Sequence, residues 1–288
     1  MPQRFEHFFN DVEGNEGNVC NYSVRLDTYG CGCQHNCGYC YARSLLAFRG
    51  LWNPQLPATA DIKKIRRIIA TKLRPGQVVR LGGMTDCFQP MEKGRKLTLR
   101  TIQMLNARRV HYLIVTKSGL VATDPYLEAM DPDLAHIQVS ITTTDADLSR
   151  RIEPGSPVPE ERFKAAERLQ ADGYDVALRL SPYIPEFITM GKLDVDRINA
   201  VKCDKMLIEF LRVSHWIERW LSPMVDLSNY TLSFHGYRHL PFPRKREAVK
   251  PFEGHHEITV CDFEERYLDF WKKEYNPNPD DCCNLKLK

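Results

Sequence analysis

The sequence predicts an α/β protein, a partial (open) parallel α/β barrel of about six βα units with an irregular C-terminal extension. Short β-branched apolar runs alternate with helical patterns from about residue 19 to residue 221. The alternation repeats about six times, short of the eight of a closed α/β barrel. Past residue 222 it fails, and Pro, His and aromatic residues dominate in FHGYRHLPFPRKREAVKPF. On pattern alone, an open doubly wound sheet satisfies the same alternation.

The elements follow in order. Residues 1–18 are a polar lead-in, and Val19–Thr28 reads as a strand running into a cysteine-rich loop. Ala60–Leu73 (ADIKKIRRIIATKL) spaces its apolar residues as a helix does, under a basic outer face, with Asp61 at its start. Gln77–Leu81 is a strand closed by Gly82-Gly83, Lys96–Asn106 a helix, Tyr112–Val115 a strand, Pro125–Met130 a short helix and His136–Ile141 a strand. Pro159–Ala171 has the marks of a complete helix: Pro near its start, Glu160 and Glu161 in the first turn, Gly173 past its end. Val176–Leu180, Asp194–Val201 and Met206–Phe210 give strand, helix, strand. Residues 19–221 thus form the barrel and 222–288 a cap, whose polar end Asn276–Lys288 reads as a flexible tail carrying Cys282-Cys283.

Hydrophobic residues make up 43% and charged residues 27%, enough for a sizeable core and unlike a disordered chain. No apolar run approaches a membrane span, and MPQRFEHFFNDVEG is unlike a signal or transit peptide, so a cytoplasmic protein is expected. The net charge of +3 is too small to mark a nucleic-acid binder by bulk charge.

Four of the ten cysteines crowd into Cys31–Cys40, within YGCGCQHNCGYCYA. Thiols so close in sequence share one local site, and in a reducing compartment that favours a metal or an iron–sulfur cluster over disulfides. Cys33, Cys37 and Cys40 stand in a C-x3-C-x2-C arrangement, so three thiolates can hold three irons of a cubane and leave the fourth open to a small bidentate ligand. The competing reading is a zinc knot of Cys31, Cys33, Cys37 and Cys40 with His35, though no second cysteine pair lies nearby in sequence. Cys31 is otherwise a bystander, and Cys20, Cys203 and Cys261 lie in apolar segments and read as core.

This spacing, with Tyr39 before the last cysteine, resembles the signature of the radical S-adenosylmethionine superfamily. GCQHNCGYCYA, together with LGGMTDCFQP (Leu81–Pro90), LIVTKS (Leu113–Ser118), QVSITT (Gln138–Thr143) and RIEPGSP (Arg151–Pro157), is most similar to its spore photoproduct lyase-like branch. The resemblance covers about residues 18–185. It implies a 4Fe–4S cluster on Cys33, Cys37 and Cys40 and S-adenosylmethionine on the fourth iron. It also implies a 5′-deoxyadenosyl radical that takes hydrogen from substrate, and an electron donor of the flavodoxin or ferredoxin type.

Thr85, Asp86, Lys117, Ser140, Thr142, Arg179 and Ser181 sit at or just after predicted strand ends, where parallel α/β folds bind ligands. By resemblance, Lys117 and Ser140 are candidates for the cofactor's carboxylate or ribose, and Thr85 and Asp86 for its amino end or adenosyl portion. Tyr39 and Arg179 complete the candidate cofactor set. The plainer reading makes Asp86 and Lys117 a structural ion pair. Tyr41 is placed either to approach the radical or to cover the cluster. Cys87 is the candidate hydrogen donor, against an alternative as a small core residue, with Cys282-Cys283 as a second candidate pair. Lys63-Lys64, Arg66-Arg67, Arg108-Arg109, Arg150-Arg151 and Arg244–Arg246, the last set among Phe234, His235, Tyr237, His239 and Phe242, suit phosphate contact and base stacking. The expected substrate is a thymine-type base in DNA, under repair or hypermodification, with a small molecule or peptide as the alternative. A non-enzymatic zinc-stabilised binding module is the remote third reading. The sequence leaves the oligomeric state open.

Overall fold

The computed structural model describes residues 5–12, 20–262, 264–278 and 281–287. Val19 and parts of the expected lead-in and tail lie outside them. One mostly parallel sheet of eight strands organises the chain. In sheet and chain order they are β1 (Phe9–Asp11), β2 (Val24–Leu26), β3 (Val78–Leu81), β4 (His111–Thr116), β5 (Ala135–Ile141), β6 (Asp175–Tyr183), β7 (Lys205–Phe210) and β8 (Glu257–Cys261). Only β1 runs antiparallel, pairing Asn10 with Arg25. The parallel register runs Leu26–Leu81–Ile114–Ile137–Val176, and the sheet is open because β1 and β8 form its two edges. Every residue of β5 is buried, as expected for a central parallel strand covered on both faces.

The connecting helices follow from local chemistry. In α1 (Tyr41–Phe48) the chain leaves the cysteine loop directly as helix. α2 (Ile62–Lys72) starts where Asp61 accepts a bond from Lys63 N at 2.8 Å, and it buries Ile65 and Ile69. α3 (Leu97–Ala107) begins over the buried Glu92 carboxylate, which accepts bonds from the Leu97, Thr98 and Leu99 amides at 3.0 Å each. α4 (Ala146–Ile152) is capped by Asp145, and α5 (Pro159–Ala171) has the bounds its sequence predicts.

The extension corrects two expectations. Far from being irregular throughout, it continues the alternation through α6 (Phe242–Val249), β8 and α7 (Glu265–Glu274), and β8 joins the sheet in parallel beside β7. The segment read as a flexible tail is folded: Cys282, Cys283 and Leu285 are buried with Tyr22, Val78, Leu113 and Leu207. Lys205 Nζ donates to Asn284 O, and the Lys286 amide donates to Asp175 Oδ2 at 2.9 Å.

The basic runs are also differently employed. Lys245 is buried and donates to both oxygens of Asp262 at 2.7 and 2.8 Å, while the Arg246 guanidinium lies 4.8 Å from the Phe270 ring. Lys64 pairs with Glu6, Arg109 with Asp131 at 2.7 Å and Arg150 with Asp147 at 2.6 Å.

Candidate active site

The loops at the C-terminal ends of the strands surround a cavity of about 320 Å³. Cys33, Cys37 and Cys40 line it, as do Tyr39, Tyr41, Thr85, Asp86, Lys117, Ser140 and Arg179. Cys31 and Cys87 are not among its lining residues.

The cysteine loop is held from several sides. Gln34 N donates to Gln89 Oε1 at 2.8 Å, Met91 N to Gln34 Oε1 at 2.6 Å and Gly38 N to Ile152 O at 2.9 Å. Gly155 must lack a side chain, because a Cβ there would lie 1.8 Å from Gln34 O; the RIEPG turn presses directly on the cysteine loop. His35 joins three loops: Nδ1 is 2.9 Å from Gly155 O and Nε2 is 3.0 Å from Asp86 Oδ2. The zinc-knot reading had His35 as a ligand; both its nitrogens are instead engaged with protein acceptors.

Asp86 is half-buried and accepts from Phe88 N, Thr116 Oγ1 and Lys117 N, each at 2.8 Å, besides facing His35. Burial alone would raise its pKa; His35 and the backbone donors hold it below the ordinary carboxylate value. The carboxylate therefore locks the ends of β3 and β4 to the cysteine loop, and its lone pairs are largely committed to the protein. The expected Asp86–Lys117 ion pair is replaced by a bond from the Lys117 amide. The Lys117 ammonium donates to Ser181 O at 3.1 Å, lies 3.9 Å from Glu153 Oε1 and sits 5.7 Å from the Tyr39 ring centre.

Glu153, from the RIEP segment, is a site residue the sequence reading did not single out by number. Wholly buried, it pairs with Arg162 at 2.5 Å and accepts the Tyr39 hydroxyl, which also lies 3.0 Å from Thr142 Oγ1. Tyr39 is thereby bound to the barrel wall. Thr85 Oγ1 donates to Tyr29 O at 2.7 Å, and Tyr41 OH to Gly83 O at 2.7 Å. Arg179 is charge-balanced by Glu209 at 2.5 Å and bonds Gln138 Oε1 at 2.5 Å. Against burial, Arg179 and Arg212 with the Ser181 hydroxyl hold Glu209 down to about 2. Nothing in the strand pattern around Glu209 distinguishes it, because one polar residue in an apolar strand carries no positional signal.

For Cys87 the geometry favours the core reading, and for Cys20 and Cys261 it corrects it. Cys87 lies in the hydrophobic core with Sγ 3.8 Å from Leu81 O, so its thiol does not face the cavity. Cys20 and Cys261, read as core, are half-buried and line the cavity wall together with Cys283; Cys203 is core as expected.

The donor set fits a cubane better than a single ion. Three thiols from one loop open onto a common cavity; burial foremost raises the pKa of each, that of Cys33 to about 12, so they stay protonated until a bound metal displaces the protons. Among the described residues, the thiols gathered within 4.8 Å of one another are Cys20, Cys282 and Cys283, not those of this loop. Ligands of one zinc ion would be that close.

A family model, the Radical SAM superfamily, matches residues 28–187. An uncharacterized protein of Methanocaldococcus jannaschii is 30% identical over 159 residues, 54% of this chain and 59% of the relative. An uncharacterized protein of Mycobacterium tuberculosis is 28% identical over 170 residues, 56% of this chain and 50% of the relative. The matches thus span only a little over half the length of these relatives. Among solved structures, a tyrosine-to-phenylalanine mutant of spore photoproduct lyase superposes with a TM-score of 0.64 at 15% identity, over 91% of this chain and 81% of that one. Methylornithine synthase superposes with a TM-score of 0.53 at 14% identity, over 84% and 65%. Both are likenesses of fold. No described helix is long and apolar enough to cross a membrane.

Proposed function

This chain belongs to the radical S-adenosylmethionine superfamily, whose cofactors are a 4Fe–4S cluster and S-adenosylmethionine, and on that premise we propose that it acts on a thymine-type base of a nucleotide or nucleic acid. Cys33, Cys37 and Cys40 are the residues that would hold the cluster. When bound, the pair supplies reductive cleavage of the sulfonium and hydrogen abstraction by the resulting carbon radical.

The remaining chemistry belongs to the chain. The Lys117 ammonium stands beside the cysteines, where it is the candidate donor to the cofactor carboxylate, with the Ser140 hydroxyl as a neighbouring donor. Asp86, Glu153 and His35 position the loops that carry these groups. Tyr41, tied to Gly83 O, covers the cluster side of the cavity.

The observation that supports a nucleotide substrate is the set of arginines along the cavity. Arg25, Arg80 and Arg212 line the same cavity, and two of them lie over aromatic rings: Arg80 over Tyr22 at 5.6 Å and Arg212 over Tyr41 at 5.5 Å. Cations interleaved with aromatic faces suit a phosphate and a stacked base. A solved spore photoproduct lyase complex carries S-adenosylmethionine and a dinucleoside photoproduct, which favours the same class by likeness of fold. A base within a duplex would have to be extruded to reach this depth.

Anaerobic reconstitution followed by incubation with oligonucleotides carrying thymine deuterated at both the methyl group and C6, intact or as the dinucleoside photoproduct, tests the reading. Deuterium is expected in 5′-deoxyadenosine with at least one such substrate. Unlabelled 5′-deoxyadenosine at the substrate-free rate with all of them would turn the assignment toward a small molecule or peptide.

A further inference from the structure

Four cysteines outside the cluster loop gather around the folded C-terminal segment. Cys20 precedes β2, Cys261 ends β8, and Cys282-Cys283 belong to the folded C-terminal segment. The thiols of Cys20, Cys282 and Cys283 all lie within 4.8 Å of one another, with Cys20 Sγ and Cys282 Sγ 3.8 Å apart. Cys261, at the end of β8, lines the same stretch of cavity wall and neighbours Cys282. Cys282 and Cys283 are buried, while Cys20, Cys261 and Cys283 reach the cavity wall.

The spacing identifies the kind of site. A disulfide would bring two sulfurs to about 2.05 Å, and 3.8 Å excludes that bond between Cys20 and Cys282 as they stand. Around one tetrahedral ion with metal–sulfur bonds of about 2.3 Å, neighbouring sulfurs lie roughly 3.8 Å apart. A cubane spreads its thiolates more widely, because each binds a different iron. We propose that Cys20, Cys261, Cys282 and Cys283 form a tetrathiolate site for a single tetrahedral divalent ion of the zinc class, separate from the cluster of Cys33, Cys37 and Cys40.

The surroundings suit such a site. Four thiolates around a divalent ion carry a double negative charge, and the Arg80 guanidinium, on the same cavity wall, partly balances it. The ion would tie the approach to β2 and the end of β8 to the C-terminal segment, and so fasten the open barrel across its gap. Three of its ligands come from the sheet edge and segment that the sequence reads as core or tail, with no C-x2-C pair to announce them. The bridge is structural, and it also closes the cavity wall facing the three cluster cysteines.

Metal analysis of the full chain, purified anaerobically and supplied with Zn²⁺ alone before any cluster reconstitution, tests this. Wild type is expected to retain one zinc after gel filtration, with Cys37→Ala unchanged and Cys282→Ser with Cys283→Ser reduced to near zero. The double variant should still take up cluster iron and sulfide on later reconstitution, which separates loss of this site from failure of the superfamily reading. Co²⁺ in place of Zn²⁺ should give the intense visible bands of tetrahedral tetrathiolate cobalt in wild type and not in the double variant. If the double variant fails to fold, Cys261→Ser carries the test, with a weakened zinc affinity and altered cobalt bands expected. Zinc retained by the double variant, zinc lost with Cys37→Ala, or wild type holding no ion and two thiols fewer than its ten cysteines in a thiol titration would each overturn the proposal.

Discussion

Glu153→Gln is expected to destabilise the chain by about 3 kcal/mol at pH 7, and by much less in acid. The carboxyl is wholly buried, pairs with Arg162 at 2.5 Å, accepts the Tyr39 hydroxyl and lies 3.9 Å from Lys117 Nζ. Burial alone would raise its pKa, but the Arg162 and Lys117 charges and the Tyr39 hydroxyl outweigh burial and hold it at about 2, against an ordinary 4.5. At about 1.36 kcal/mol for each pH unit, that gap amounts to roughly 3 kcal/mol. Because the folded-state value is depressed, the contribution is present in full above about pH 4.5 and is lost as pH falls toward 2. A second route gives the same size: glutamine keeps the Tyr39 acceptor but leaves Arg162 buried without a counter-charge, and breaking a buried pair costs about 3–5 kcal/mol. Urea unfolding of the reduced apoprotein, which removes cluster loss from the comparison, measures the difference from pH 7 down to pH 3. The gap should be roughly halved by pH 3. A gap under about 1 kcal/mol at neutral pH, or one undiminished at pH 3, would refute the ionised hub.

The remaining expectations concern the site. Cys33→Ala, Cys37→Ala and Cys40→Ala should each abolish the reconstituted cluster, and Cys31→Ala should retain it; iron and sulfide analysis decides, and a full cluster in Cys37→Ala would overturn the ligand set. Lys117→Ala and Ser140→Ala should each weaken S-adenosylmethionine binding by about ten- to a hundredfold, from a lost charge-assisted bond of roughly 1.5–3 kcal/mol, with iron content unchanged. Equilibrium binding that matches wild type in both would place the cofactor elsewhere. Cys87→Ala should cost about 1 kcal/mol of stability and leave product identity intact, since its thiol faces Leu81 O in the core. Side adducts in its product mixture would put that thiol back in the radical's path.

The barrel was legible because its signals are local. Apolar runs set β3 to β7, Asp61 caps α2, and Pro159 with Gly173 bounds α5 to the residue. Cys33, Cys37 and Cys40 group together by spacing alone, and the structure has all three lining one cavity. The polar residues at strand ends were legible as a group but not in their roles. Asp86 was read as a cofactor ligand, and its acceptor capacity is taken by Phe88, Thr116, Lys117 and His35, three of which lie far away in sequence. Arg179 belongs to the candidate cofactor set by its place at a strand end, and Glu209, on the next strand, neutralises it. Which partner a buried charge finds depends on strand register, and register is a property of the assembled sheet.

The C-terminal segment shows why composition misjudges such pieces. Asp281–Leu287 is short, polar and unable to bury much surface of its own, so local reasoning assigns it to solvent. Its burial depends on distant groups already fixed by the sheet. Lys205 and Asp175 pair at 2.6 Å at neighbouring strand starts, and each also serves this segment, through Asn284 O and Lys286 N. Asp281 accepts from the Cys283 and Leu285 amides at 3.0 and 2.9 Å, satisfying backbone groups that would otherwise be costly inside the barrel. With the backbone satisfied, Cys282, Cys283 and Leu285 can pack on Val78, Leu113 and Leu207. A residue pair that reads as incidental thiols on a mobile end is therefore buried, with Cys283 on the cavity wall. The same dependence explains why the segment should loosen if Lys205 or Asp175 is removed: either change strands its partner's charge and uncovers backbone of the plug at once.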